Sequence, residues 1–136
     1  MQITVDASIV VKWFIDEPGT EAAIQLLESD NQLIAPELII SEVANAVWRR
    51  ATAGDIEREQ ATAIPQALMQ VLADVTPVHE LIDEAMSIAF AEQHPVYDCI
   101  YLALARKRNC AMATADLRLQ TILQTPKWRS LYVADH

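Results

Sequence analysis

Four acidic residues spread along the chain have the type and placement for metal chemistry: Asp6, Glu42, Asp98 and Asp116. Asp98 is the one charged residue in the apolar run 96–105. Burying such a run stabilises a fold, but a buried lone carboxylate opposes folding unless a partner, hydrogen bonds or a cation compensate for it. We therefore expect Asp98 to share a cation with the other three acids.

The oxygen ligands of this set indicate which cation it binds. Carboxylates suit Mg²⁺ or Mn²⁺ rather than Zn²⁺. A Mg²⁺ ion held by carboxylates most often acts on phosphates, because it activates a water molecule and neutralises charge developing at phosphorus. The three histidines show no metal-ligand spacing and are interpreted as surface or loop residues: His79, His94 and His136. With two glycines in the chain, a glycine-rich phosphate-binding loop is excluded.

Strands and helices alternate along the sequence, which is typical of an α/β fold. Apolar runs predict short strands at 2–5, 32–35, 75–78, 110–113 and 131–133. Helical periodicity predicts helices at 9–14, 20–28, 36–53, 55–72, 80–93, 97–108 and 116–123. Asp55 is the expected N-cap of the fourth helix. This order predicts a mostly parallel central sheet flanked by helices, in a single domain spanning residues 1–136.

The predicted topology brings the four acids to one edge of the sheet, where ligands bind in such folds. Asp6 follows the first strand directly, and Asp116 lies just past the strand at 110–113. The helix before that strand must run antiparallel to it, which returns Asp98 to the same edge. Glu42 lies in the early turns of the helix that follows the second strand, so it also stays near this edge.

A simpler structural role competes at each of these positions. Asp6, Asp98 and Asp116 stand at or near helix starts, where Asp caps free N–H groups. Glu42 lies opposite the apolar stripe of its helix, which favours a solvated side chain. Taken singly, these structural roles are favoured. The shared edge favours a site, because clustered like charges oppose folding unless a cation or protons compensate.

Charge and composition bear on partners and location. The net charge is −9, with 19 acidic and 10 basic residues, which argues against a nucleic-acid partner, although bound divalent cations would offset part of it. No apolar run is long enough to span a membrane, and the N-terminus lacks signal-peptide features. Cys99 and Cys110 lie in apolar surroundings, typical of free thiols in a reducing compartment. We therefore expect a cytoplasmic protein.

Five segments, in order along the chain and at suitable spacing, together resemble PIN-domain proteins: 5–8, 12–14, 41–46, 97–105 and 114–116. More narrowly, they resemble the VapC-type toxins of bacterial toxin–antitoxin pairs. The resemblance implies a PIN-like α/β fold and a Mg²⁺- or Mn²⁺-dependent endoribonuclease that acts on RNA. It also implies a homodimer that is inhibited by a small VapB-like antitoxin.

The resemblance also assigns roles to residues. It makes Asp6 and Asp98 the principal metal ligands, with Glu42 and Asp116 completing the acidic pocket. Three polar residues would support the carboxylates: Ser8, Asn45 and Thr114. Three basic residues are candidates for contact with RNA: Lys12, Arg49 and Arg106.

The sequence departs from the family pattern after the last acid. Many relatives carry another acid two or three residues after it, where this chain has Arg118 and Leu119. One metal ion rather than two would then suffice. Phe14 and Trp48 are candidates for receiving an antitoxin segment near the acidic edge.

Two other functions stay open at this stage. The first is a metal-dependent phosphatase of another α/β fold with Asp6 as nucleophile, which is disfavoured because position 8 is Ser8 rather than a second aspartate. The second is a non-catalytic binding module with a PIN fold, which is disfavoured by the intact set of four acids.

Overall fold

The computed structural model describes residues 1–133 and places four strands in one parallel sheet. The strands are β1 (Gln2–Val5), β2 (Gln32–Pro36), β3 (Asp74–Thr76) and β4 (Ala111–Ala113). They lie side by side in the order β3-β2-β1-β4. Thr4 of β1 pairs with Ile34 of β2 and with Met112 of β4. The predicted α/β architecture is confirmed, and the carboxyl ends of all four strands share one edge.

Helices surround this sheet. They are α1 (Ala7–Phe14), α2 (Thr20–Leu27), α3 (Leu38–Thr52), α4 (Arg58–Val71), α5 (Ile82–Glu92), α6 (Val96–Arg108) and α7 (Leu117–Leu123). Two short 3₁₀ helices cover Val78–Glu80 and Arg129–Leu131. Each strand from β1 to β3 leads into the next through helices, so the chain crosses over the sheet repeatedly, as parallel strands require.

Helix α6 forms the centre of the core, because its sequence is apolar on nearly every face. Residues 99–105 are all buried, and the helix packs against β1, β2, β4 and α5. Fully burying a leucine or isoleucine side chain stabilises a fold by about 1.5–3 kcal/mol. This packing fixes the position of the first turn of α6, which carries Asp98.

Two predicted elements differ from the structure. Helix α4 begins at Arg58 with Glu57 in the N-cap position, so Asp55 is not the cap. Asp55 instead accepts a hydrogen bond from Arg50 Nε at 2.8 Å, and this ion pair holds it in the preceding turn. The strand predicted at 131–133 is replaced by the second 3₁₀ helix, and only a single bridge joins Met112 to Tyr132.

No helix within residues 1–133 is long and apolar enough to cross a membrane. Both cysteines are free thiols. Cys99 is buried in α6, whereas Cys110 is partly exposed just before β4.

Candidate active site

Asp6 links the end of β1 to the start of α1. Its Oδ1 accepts hydrogen bonds from the Ser8 hydroxyl at 2.5 Å and from the Ile9 N–H at 3.3 Å, which makes it the N-cap of α1. Its Oδ2 accepts a hydrogen bond from the Thr114 hydroxyl. The residue is only 6% exposed. Capping is therefore one role of Asp6, and Ser8 and Thr114 contact it as the resemblance implies.

The pKa of Asp6 is raised to about 6, because burial disfavours its charged form. Hydrogen bonds from Ser8, Thr114 and Ile9 lower the pKa, but they do not offset the burial. The negative charge of Asp98 raises it further. Asp6 and Asp98, which are far apart in sequence, are therefore electrostatic neighbours.

Asp116 lies at the same edge, after β4, and acts as the N-cap of α7. Its Oδ1 accepts hydrogen bonds from the backbone N–H groups of Arg118 at 2.8 Å and Leu119 at 3.3 Å. Its own N–H donates to the Thr114 hydroxyl oxygen at 3.0 Å. The Thr114 hydroxyl thus joins Asp116 to Asp6 through two hydrogen bonds.

Asp98 is the third residue of α6, and its side chain is 31% exposed. It is not the helix cap, since Pro95 occupies that position. Its Oδ2 lies 2.6 Å from Nε2 of His94. His94 lies in the loop between α5 and α6, and its ring is buried rather than on the surface. His79 is exposed on a 3₁₀ helix.

His136 lies outside the described residues, so its predicted surface position stays a prediction.

Glu42 lies in the second turn of α3 and is partly buried rather than solvated. Burial and the charge of Asp98 raise its pKa, against the opposing effect of a hydrogen bond from Tyr101. The Tyr101 hydroxyl donates to Oε1 of Glu42 at 2.5 Å. Tyr101 therefore fixes the carboxylate of Glu42, as Ser8 and Thr114 fix that of Asp6.

Tyr101 is a site residue that the sequence reading missed. Its side chain is buried, and burial together with the charges of Glu42, Asp6 and Asp98 raises its pKa. The phenol thus stays a hydrogen-bond donor and lies among three carboxylates. The available signal was spacing, because Tyr101 follows Asp98 by three residues and so shares its helix face.

The structure thus gathers Asp6, Glu42 and Asp98 electrostatically, with Asp116 attached through Thr114. Within residues 1–133, no three His, Cys, Asp or Glu side chains are close enough to hold a metal ion as they stand. The donor chemistry nevertheless fits a hard divalent cation, since all donors are oxygens and the negative charge of Asp98 raises the pKa of both Asp6 and Glu42. A bound cation would relieve that repulsion.

The remaining supporting candidate is not joined to these acids. Asn45 is exposed on α3, and no hydrogen bond connects it to an acid within the described part of the chain.

Two of the three basic candidates are already engaged. Lys12 Nζ bonds to Glu17 at 3.0 Å and to the Pro18 carbonyl at 2.7 Å. Arg106 pairs with Glu84 at 2.7 Å and lies 4.1 Å from the ring centroid of Trp128. Arg49, in the last turn of α3, is exposed and forms no ion pair with another residue in the range 1–133.

A family model for the PIN domain matches residues 3–122. The chain belongs to the PIN domain family. This PIN domain is 29% identical over 122 residues to ribonuclease VapC3 of Pyrobaculum aerophilum, and the match covers 88% of this chain and 92% of that protein.

Solved structures have the same fold. VapC20 of Mycobacterium tuberculosis, a toxin that cleaves the sarcin-ricin loop, aligns with a TM-score of 0.72 and 16% identity over 88% of this chain and 94% of that one. VapBC2 of Rickettsia felis, solved with a DNA fragment from its promoter, aligns with a TM-score of 0.66 and 12% identity over 98% of both chains. At these identities, the likeness establishes the fold.

Proposed function

We propose that this PIN domain is a Mg²⁺- or Mn²⁺-dependent endoribonuclease and the toxin of a toxin–antitoxin pair. The observation that carries the proposal is the cluster of Asp6, Glu42 and Asp98 around the Tyr101 hydroxyl at the carboxyl edge of the sheet. The relationship to a protein named ribonuclease VapC supports RNA as the substrate class.

In this proposal, Asp6 and Asp98 are the main metal ligands, and Glu42 and Asp116 complete the pocket directly or through water. A bound divalent cation supplies an activated water molecule and offsets charge at phosphorus. Ser8 and Thr114 hold both oxygens of Asp6 in place. Glu42, whose pKa is raised and which accepts a hydrogen bond from Tyr101, would take a proton from the attacking water.

The proposal includes two protein partners. A VapB-like antitoxin is supported by the structural likeness to VapBC2. We propose that a segment of it docks in a groove of about 240 Å³ between α3 and α4, where Trp48 is 60% exposed and lies beside Arg58 and Pro65. We also propose a homodimer, a single domain over residues 1–136, and the cytoplasm as location.

A non-catalytic PIN-fold module is the second candidate. It is favoured by the absence, within residues 1–133, of three side chains already assembled around a metal position. The phosphatase alternative is weaker, because position 8 is Ser8 rather than a second aspartate.

Replacing Asp98 tests the proposed reaction. We expect Asp98→Asn to lower the rate of RNA cleavage in Mg²⁺ or Mn²⁺ by more than about 100-fold, beyond the loss typical of residues that only support a metal ligand. The rate would be measured on purified protein with a labelled RNA, beside a melting curve.

Asp83→Asn is the matched control, because Asp83 lies in the first turn of α5 as Asp98 does in α6, but it is exposed. Its cleavage rate should equal that of the wild type. Undiminished cleavage by a folded Asp98→Asn protein would refute the mechanism. A wild-type protein that binds neither Mn²⁺ nor Mg²⁺ in calorimetry and cleaves no RNA would favour the non-catalytic module.

A further inference from the structure

His94 is the buried partner of the partly exposed Asp98 carboxylate in the acidic cluster. Its side chain is 5% exposed, whereas that of Asp98 is 31% exposed, and 2.6 Å separate Nε2 from Oδ2. The ring therefore lies on the inner side of the pair, and the carboxylate lies on the solvent side.

The backbone on both sides of His94 is held firmly. Gln93 adopts a left-handed conformation with φ 53°, which ends α5. The N–H of His94 then donates to the Ala89 carbonyl at 3.1 Å, and its carbonyl accepts from Cys99 Sγ at 3.7 Å. Pro95 follows directly. Because the ring is attached to a fixed turn, its position is fixed relative to α6.

The direction of the hydrogen bond follows from the chemistry of the pair. An ionised carboxylate can only accept, so Nε2 of His94 donates. Such a charge-assisted bond is short and directional. Within residues 1–133, it is the one hydrogen bond that the structure shows to the Asp98 side chain, which leaves Oδ1 available to a further ligand.

The negative charge of Asp98 acts electrostatically on two other carboxylates of the site. It is among the causes that raise the pKa of both Asp6 and Glu42. The carboxylate that His94 holds therefore lies within electrostatic range of Asp6 and Glu42.

We propose that His94 is a positioning residue, whose donated hydrogen bond fixes the Asp98 carboxylate within the acidic cluster and thereby strengthens divalent-cation binding. The inference rests on the proposed function, because it assigns a metal ligand to Asp98. A histidine that merely packs the turn between α5 and α6 would affect stability without affecting cation affinity, which separates the two roles.

Calorimetric titration of the full chain with Mn²⁺ alone tests this role in three variants. Hydrogen-bond partners of metal ligands typically contribute a factor of about 10–100 in affinity. We expect a loss of affinity of that size in His94→Leu, which has no donor. We expect the same loss in His94→Asn, because its shorter side chain keeps the amide donor out of reach of Asp98. His94→Gln places an amide donor near the position of Nε2, so it should retain most of the affinity. The exposed His79→Gln serves as the control and should match the wild type.

A melting curve of each variant shows whether it is folded. If His94→Leu does not fold, the comparison of His94→Asn with His94→Gln still tests the positioning role. Wild-type affinity in all the folded variants overturns the positioning role and leaves the proposed function intact. An equal loss in Gln, Asn and Leu also overturns it, since restoring the donor would then have no effect. A wild-type protein that neither binds Mn²⁺ nor cleaves RNA overturns both proposals.

Discussion

At the scale of single residues, Asp6 combines two opposing influences. Its carboxylate is buried, which disfavours the charge, and it accepts three hydrogen bonds, which favour the charge. Burial has the larger effect, so its pKa rises from 3.8 to about 6. At a pH between these two values and without a cation, the Asp6 carboxyl is thus protonated in the folded protein. In the unfolded chain it has already lost that proton.

Stability without metal should therefore fall as the pH rises from about 4 through 6. The unfolded state binds fewer protons than the folded state in this pH range. The free energy of unfolding therefore decreases by up to about 3 kcal/mol, at roughly 1.4 kcal/mol per pKa unit. Urea unfolding in the presence of a chelator would measure it.

Asp6→Asn should flatten this pH dependence, apart from the smaller contribution of Glu42, whose raised pKa acts in the same direction. Adding Mn²⁺ at pH 7 should stabilise the wild type but not this variant, since a ligand that binds only the folded state raises its stability. An equally steep loss of stability in Asp6→Asn would assign the proton to another group.

At this scale the sequence located the acids but missed two of their partners, His94 and Tyr101. Asp6 and Asp116 could be placed because each lies just past the end of a strand. His94 was missed because histidines were judged by their spacing from one another, whereas its partner Asp98 lies four residues on, across a helix start.

At the scale of elements, α6 connects the core to the site. Its residues from 99 to 105 are buried, and its first turn presents Asp98 while the next turn presents Tyr101 to Glu42. Apolar packing therefore sets the position of two polar contacts. This link could be predicted from the sequence, because a nearly continuous apolar helix must be covered on most sides.

Leu104→Ala should destabilise the protein by about 2–5 kcal/mol, because it leaves a cavity at a fully buried position. Leu117→Ala is the matched control, since Leu117 is 76% exposed and its truncation should have little effect. Chemical unfolding of both variants measures the difference. Equal losses would contradict the central position of α6 in the core.

Helix starts were less predictable than helix cores. The fourth helix was expected to begin at Asp55, but the ion pair of Asp55 with Arg50 delays it to Arg58. An aspartate before a helix can be either its N-cap or the partner of a nearby arginine, and the sequence looks the same in both cases. For Asp55, only the position of Arg50 in the structure decides between the two roles.

At the scale of the whole molecule, the acidic balance limits where RNA can bind. Within residues 1–133, six of the ten basic side chains form ion pairs: Lys12, Arg50, Arg106, Lys107, Arg108 and Lys127. Arg49 follows Glu42 by seven residues on α3, which places it on the same helix face, roughly 10 Å along the axis. It is therefore a candidate cation for a phosphate next to the site.

Arg49→Ala should weaken RNA binding and reduce its salt dependence. One lost phosphate contact lowers the slope of log affinity against log salt by about 0.7 for a single strand. Binding of an oligoribonucleotide would be measured in the Asp98→Asn background, so that cleavage does not interfere. Arg106→Ala, which removes a paired arginine, should leave the slope unchanged. If Arg106→Ala lowered the slope and Arg49→Ala did not, RNA would instead bind near the end of α6.

The hydroxyls of Ser8 and Thr114 have a consequence for the order of events during synthesis. Both join the end of β1 to the segment after β4, more than a hundred residues later in the chain. Domains generally fold as units, and an N-terminal domain does so while the ribosome is still elongating the chain. The carboxylate of Asp6 lacks its Thr114 donor until residues up to about 116 have left the exit tunnel. A nascent chain therefore cannot assemble the complete acidic pocket, and the proposed ribonuclease would become competent only when synthesis is nearly finished.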